Sequence, residues 1–427
     1  MAVPILGVIA DDFTGATDIG SMLVRGGMKV IQTIGPPAAN FDYGDVDAIV
    51  VALRTRSIPA ADAVAQSLSA LGALQQAGVS HVQFKYCSTF DSTPEGNIGP
   101  VSDALAAEVG CDQVVHVPAL PVNGRIVFKG HLFVGDVLLH ESGMQNHPLN
   151  PMTDANLVRW LGQQVPGQVG CVDHAALVAG ADHAQEVLKA CGSASHVIGD
   201  AIDDADLETW AELLQGARFF AGGSGLATPL ARKLTPKRAS SPKPSVDIDA
   251  ASSGHSLILA GSCSQATLAQ IEVFRQSGKA VLQIDPISLD SGEMTIDSIA
   301  ERVTEALQCG PVLVHGSASP EEVQKAQSAL GVDRAGAVIE TALSELANRL
   351  APLPEVARIV VAGGETSGTV VSRLAVAALR IGEEIDPGVP WTMALDRAGK
   401  PVIPLALKSG NFGAPDFFLR TSKSGDL

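Results

Sequence analysis

The feature that most constrains the fold is a rhythm. Short runs of apolar, β-branched residues recur along the chain, each followed by a polar or glycine-bearing turn and then an alanine-rich amphipathic stretch. Ile5–Ala10, Ala48–Leu53, His81–Tyr86 and Gln113–Leu120 read as buried strands. Asp18–Gly26 and the segment PAADAVAQSLSALGALQQAG read as helices between them. Parallel strands need long crossovers and are covered on both faces, so continuous apolar runs separated by helices predict β-α-β units. GCVDH, SHVIGDAI and RFFAGGSGLATPLARKL continue the pattern.

The rhythm breaks once. Thr235–Gly254 holds three prolines and five serines with no apolar periodicity, the composition of a linker or a long surface loop. A second series starts at HSLILAGSCSQATLAQIEVFRQSG and runs through AVLQID, PVLVHGSAS and RIVVAGGETSGTVVSRLAV to PVIPLALKSGNFGAPDFF. The expected architecture is two α/β domains, 1–236 and 254–427, joined by a linker at 237–253. Each carries a largely parallel sheet flanked by helices, with the active site expected in the inter-domain cleft.

Composition excludes several functions. A net charge of −17 argues against nucleic-acid binding through a basic surface, which needs clustered Lys and Arg. No apolar run reaches the roughly 18 residues of a bilayer span, and the N-terminus lacks a basic region before its first acids, so no signal peptide is expected. Cys87, Cys111, Cys171, Cys191, Cys263 and Cys309 show no zinc-like spacing and read as free thiols of a cytoplasmic protein. A homodimer stays open.

Ligands of open α/β sheets bind beyond the carboxyl ends of the strands, so the residues that follow each strand carry the functional signal. After the first come Asp11, Asp12, Thr14 and Asp18; after the second, Arg54, Arg56 and Ser57. Lys85, Ser88, Thr89, Asp91, Ser92, Thr93 and Asn97 follow the third, and Asn123 and Arg125 the fourth. Singly, such residues are usually solvated or cap helices. Gathered at four successive strand ends, the cations suit a carboxylate and the hydroxyls and amide suit a polyol.

The second domain differs. Gly261, Ser262 and Ser264 stand between a strand and a helix, as do Gly363, Gly364, Glu365, Thr366, Ser367 and Gly368; Lys408 and Gly410 mark a third turn. None matches GxxxxGK[ST] or GxGxxG, and a glycine turn is often structural. Three in one domain point to a phosphate or nucleotide site, with backbone N–H groups at helix starts taking the anion. Glu365 suits a metal–water shell. Acid and hydroxyl chemistry in one domain and a phosphate cradle in the other suggest phosphoryl transfer.

ADDFTGATD, KYCSTFDSTPEGNIG, GSCSQAT, VAGGETSG and LKSGNFGAPDFF together resemble the four-carbon acid sugar kinase family, in order and over essentially the whole chain. The resemblance implies an N-terminal acid-sugar domain, a C-terminal ATP domain and phosphorylation of the terminal hydroxyl, with Mg²⁺ expected. The ending is most similar to the 3-oxo-tetronate 4-kinase branch; D-threonate, L-threonate and D-erythronate are the alternative substrates. It implies ATP contacts from Ser262, Gly363, Gly364, Glu365, Thr366 and Gly410, and substrate contacts from Asp11 or Asp12, Arg54 and the Lys85–Asp91 segment. The mechanism expected from these residues places the sugar carboxylate on Arg54 with Arg56 or Lys85, and Asp12 beside the 4-hydroxyl as base or orienting group. Closure of the cleft would exclude water. Metal ligands stay unassigned. Outside kinases, the rivals are a non-catalytic sugar-acid binding protein and a phosphatase with Asp11 as nucleophile; the latter lacks the DxD spacing.

Overall fold

The computed structural model describes residues 3–147, 149–235 and 254–422. The chain divides into two compact units, Met1–Lys243 and Pro244–Leu427. The expected linker at 237–253 lies outside the described residues. Among the described residues no helix is long and apolar enough to cross a membrane.

The first unit is built on eight parallel strands: β1 (Leu6–Ala10), β2 (Val30–Ile34), β3 (Ala48–Ala52), β4 (His81–Lys85), β5 (Val114–Val117), β9 (Gln168–Val172), β10 (Ala194–Gly199) and β11 (Phe219–Gly222). An antiparallel meander of β6 (Arg125–Phe128), β7 (His131–Val134) and β8 (Val137–Leu138) is inserted after β5. The parallel strands lie in the order β2-β3-β1-β4-β11-β5-β10-β9. Every residue of β1 and β3 is buried, as strands covered on both faces must be. Helix Phe13–Arg25 packs on β2 and β3, Ala60–Ala77 on β1 and Ile98–Val109 on β11. From β1 the chain goes out to β2, returns to β3 and then crosses to β4 on the other side of β1, so this is a topological switch point. The turns after β3, β1 and β4 therefore meet.

A string of polar side chains runs through this unit. Tyr86, just past β4, bonds through its hydroxyl to Nδ1 of His116 on β5 at 3.0 Å. His116 Nε2 lies 3.0 Å from His196 Nδ1 on β10, and His196 Nε2 lies 2.8 Å from Asp103 Oδ1 on helix Ile98–Val109. The two imidazoles are fully buried and Asp103 is half-exposed. Burial, then the neighbouring His196, holds the His116 pKa well below the usual histidine range.

The second unit carries β12 (His255–Ala260), β13 (Ala280–Gln283), β14 (Val312–His315), β15 (Val356–Ala362), β16 (Ala378–Asp386), β17 (Val389–Leu395) and β18 (Pro401–Lys408). Their order is β13-β14-β12-β15-β18-β17-β16. The first five are parallel, and β17 runs antiparallel to both β18 and β16. Ile258, Phe274, Val360, Trp391, Phe417 and Phe418 form a core cluster. β12, β15 and β18 are neighbours pointing the same way, which brings their three glycine turns side by side.

The β6–β8 meander was not expected, and three further features depart from the sequence reading. β2 was not expected: its central Gln32 interrupts the apolar run, and it is buried because Thr17 Oγ1 donates to its Oε1 at 3.0 Å. The β16–β17 hairpin was not expected either: β16 carries Arg380, Glu383 and Glu384 and so lacks the buried-strand pattern. The first helix starts at Phe13 rather than Asp18, because the Asp12 carboxylate accepts from Gly15 N at 3.1 Å and caps it directly behind the strand.

Candidate active site

At the switch point of the first unit, Arg56 reaches back to the acids after β1. Its Nε and Nη2 donate to Asp11 Oδ2 and Oδ1 at 2.9 and 2.8 Å, a bidentate pair, and Nη2 also donates to Asp12 Oδ1 at 2.6 Å. Asp91 Oδ2 lies 3.8 Å from Arg56 Nη1. Burial pushes the Asp11 carboxyl pKa up, although Arg56 pulls it down. Burial also opposes the charge of Arg56, but the two carboxylates outweigh it and hold the guanidinium pKa above its ordinary value. The turn carrying Arg56 is fixed by Asn97, whose Nδ2 donates to the carbonyls of Thr55 at 2.6 Å and Ile58 at 2.9 Å.

Lys85, only 3% exposed, closes β4. Its Nζ donates to Tyr86 O at 2.9 Å. Gly15 lies between this ammonium and Asp12: a Cβ there would stand 2.3 Å from Asp12 Oδ1 and 2.7 Å from Lys85 Nζ. Asp91 follows Phe90, a non-glycine residue at φ +54°, and its buried Oδ1 has no hydrogen-bond partner among the described residues. A strained residue next to an orphaned acceptor marks a functional segment better than either does alone.

In the second unit the three turns interlock. A Cβ on Gly261 would lie 2.1 Å from Thr366 Oγ1, and one on Gly410 would lie 2.2 Å from Ser262 Oγ. Gly363, at φ +131°, takes a hydrogen bond path that only glycine follows easily: its N–H donates to Lys408 O at 2.9 Å and its carbonyl accepts from Ser367 N. Ser264 caps helix Gln265–Gln276 and donates to Gly410 O at 2.6 Å. Beneath them, the buried Lys408 ammonium donates to Thr267 Oγ1, Ser409 O and Gly410 O at 3.1 to 3.2 Å. Burial lowers its pKa to about 8.

Helix Gly364–Arg373 begins at Gly363 with no side-chain cap, so its first N–H groups are left for another partner. They open on a cavity of about 670 Å³ lined by Ser262, Gly363, Gly364, Glu365 and Thr366, among others. Glu340 also lines it; burial and then the adjacent Glu365 carboxylate push its pKa up.

A family model described as a sugar-binding N-terminal domain matches residues 6–230, and one described as a nucleotide-binding C-terminal domain matches residues 257–418. The chain is 49% identical to the 3-oxo-tetronate kinase of Cupriavidus necator, over 97% of this chain and 96% of that one. It is 48% identical to the 3-oxo-tetronate kinase of Pseudomonas savastanoi, over 99% and 97%. The chain belongs to the four-carbon acid sugar kinase family. A crystal structure of a Haemophilus influenzae protein shares its fold, with a TM-score of 0.87 at 42% identity over 97% of this chain and 98% of that one.

Within this family member, the strand ends bring Asp11, Asp12, Arg56, Lys85 and Asp91 together. Thr89 is buried on the same segment with its hydroxyl 2.9 Å from Cys87 Sγ, and Ser88 is half-buried beside it. Arg54 is exposed and forms no ion pair with a described residue. Asn123 is exposed in the turn Pro121–Asn123, where its carbonyl accepts from Arg125, and no hydrogen bond joins its side chain to the cluster. In the second unit Ser262, Gly363, Gly364, Glu365 and Thr366 share one cavity, with Gly410 packed against Ser262. Gly15 was missed by sequence reasoning; its place three residues after the acid at a helix start was the available signal.

Proposed function

We propose that this chain is a 3-oxo-tetronate kinase, moving the terminal phosphoryl group of ATP onto the 4-hydroxyl of the acid sugar. The observation that carries this reading is the convergence of three strand-end turns on the uncapped start of helix Gly364–Arg373, at the mouth of a cavity large enough for a nucleotide. Backbone N–H groups there, aided by the helix dipole, suit phosphate oxygens. Full-length relatives named for that activity support the same conclusion.

The acceptor side follows from how the charges in the first unit are already committed. The guanidinium of Arg56 is held by Asp11 and Asp12, so the sugar carboxylate falls to the Lys85 ammonium and the exposed Arg54. Asp12 Oδ1 takes hydrogen bonds from Gly15 and Arg56, which leaves Oδ2 to receive or orient the proton of the 4-hydroxyl. Asp11 is the brace of this arrangement. The orphaned Oδ1 of Asp91 is an acceptor for a second sugar hydroxyl.

Mg²⁺ binds through one or two carboxylates together with substrate phosphates. Glu365 and the adjacent Glu340 fit it, since a cation would relieve the carboxylate pair. Bound there, the ion supplies neutralisation of phosphate charge.

The test is a panel of 3-oxo-tetronate, D-threonate, L-threonate and D-erythronate with ATP and Mg²⁺, read by mass of a phosphorylated product. The highest kcat/KM belongs to 3-oxo-tetronate; no ATP-dependent product on any member would sink the proposal. Asp12→Asn cuts kcat by about 10²–10⁴-fold while the fold holds, because asparagine caps a helix as well as aspartate does.

A further inference from the structure

Resting on that reading, the nucleotide site has a second end. The cavity that begins at Gly363–Thr366 continues along helix Val332–Leu350, whose Val332, Ala335, Gly336, Ile339 and Glu340 all line it. Those positions recur at i, i+3, i+4, i+7 and i+8, one face of the helix. Glu340 stands at the phosphate end beside Glu365. Eight residues at a rise of 1.5 Å place Val332 about 12 Å away along the axis. Ile284, Pro286 and Ile287 after β13, and Val323 and Ala326 of helix Pro320–Leu330, line the same cavity. Aliphatic side chains therefore line this stretch, with Asp285, Glu322 and Lys325 bordering the same cavity.

Gly336 has no role within the chain that requires glycine. It stands inside a helix, where glycine is destabilising relative to alanine, and its φ is not in the left-handed region. A Cβ added to it would meet no heavy atom within 4 Å. Gly316, on the same cavity, is different: a Cβ there would lie 2.3 Å from Ile339 Cγ2, so packing explains it. One turn before Gly336, Val332 is 65% exposed despite being apolar. An uncovered valine beside a side-chain-free turn forms a flat apolar shelf.

We propose that Gly336 admits the base of the nucleotide, which lies flat on the Val332–Gly336 shelf while the phosphates occupy the Gly363–Thr366 turn. Gly336 is then a specificity-determining residue: its missing side chain is the thickness the base fills. A concave, mostly apolar pocket with a few placed polar groups is the usual construction of small-molecule sites.

The experiment is calorimetric titration of the full-length chain with ATP and with inorganic tripolyphosphate, both with Mg²⁺, for wild type, Gly336→Ala and Gly336→Val. Gly336→Val weakens ATP binding at least 10-fold and leaves tripolyphosphate within twofold; Gly336→Ala lies between. Both variants melt at or above the wild-type temperature, since the substitution restores helix propensity. ATP affinity within twofold of wild type in Gly336→Val overturns the inference, as does an equal loss for both ligands. A wild-type chain that binds neither ligand refutes the kinase reading itself and the inference with it.

Discussion

Gly15→Ala separates activity from stability more cleanly than any other change at the proposed acid-sugar site. The added methyl would stand 2.3 Å from Asp12 Oδ1 and 2.7 Å from Lys85 Nζ. Neither group can swing aside freely: Asp12 Oδ1 is held by Arg56 Nη2, and the Lys85 ammonium is buried and bonded to Tyr86 O. Asp12 must retreat by roughly 1 Å to reach an ordinary non-bonded separation. A displacement of that size at a reacting group costs about 10²-fold in rate, or about 2.7 kcal/mol in barrier height. Folding responds little, because loss of the Asp12 cap costs about 1 kcal/mol and exchanging glycine for alanine in a helix returns about 1 kcal/mol. The expected result is a kcat lowered about 100-fold with a Tm within about 3 °C of wild type. ATP turnover with saturating acid sugar and a thermal melt measure the two. Wild-type kcat with an unchanged melt would refute the placement of Asp12 and Lys85 at the chemistry.

Two further outcomes follow from the buried charges. Arg56→Ala leaves Asp11 buried without its bidentate partner and lowers stability by about 3–5 kcal/mol; Arg56→Lys recovers only part of that, because an ammonium cannot reproduce the fork, as urea unfolding at neutral pH will show. Lys408, whose folded pKa lies near 8 against an ordinary 10.5, is deprotonated in the folded chain before the unfolded one. Unfolded chains therefore hold the extra proton between those values, and stability rises with pH across that window by about 3 kcal/mol. The contribution is fully present above about 10.5 and lost as pH falls through about 8. Lys408→Met removes that slope, so the wild-type-minus-variant difference in urea unfolding free energy should change between pH 7.5 and 10.5; parallel curves would contradict it.

The strand-end chemistry was legible because a parallel sheet collects the residues after its strands whatever their distance in sequence. That logic located Asp11, Asp12, Arg56, Lys85 and Asp91, and likewise Ser262, the Gly363–Thr366 turn and Gly410. Which arginine turns toward the acids was not legible. Arg54 and Arg56 are two residues apart, and the choice is made by Asn97, about 40 residues on, gripping the carbonyls of Thr55, Arg56 and Ile58. β2 was obscured by a buried glutamine whose partner is a helical threonine, and β16 by the charges along it. Propensity and periodicity report the local backbone. Pairings of this kind depend on tertiary neighbours, and only the folded chain displays them.

The polar string from Tyr86 to Asp103 has a direction. With Asp103 ionised, its oxygen accepts from His196 Nε2–H, which leaves His196 Nδ1 to accept from His116 Nε2–H, and His116 Nδ1 to accept the Tyr86 phenol proton. A half-exposed carboxylate on the outside thus dictates two tautomers and the orientation of a hydroxyl in the interior. Asp103 is for that reason a surface position only in appearance: exchanging it for a residue that cannot accept would leave every proton along the line without a prescribed place. That would turn one well-defined interior into several of nearly equal energy.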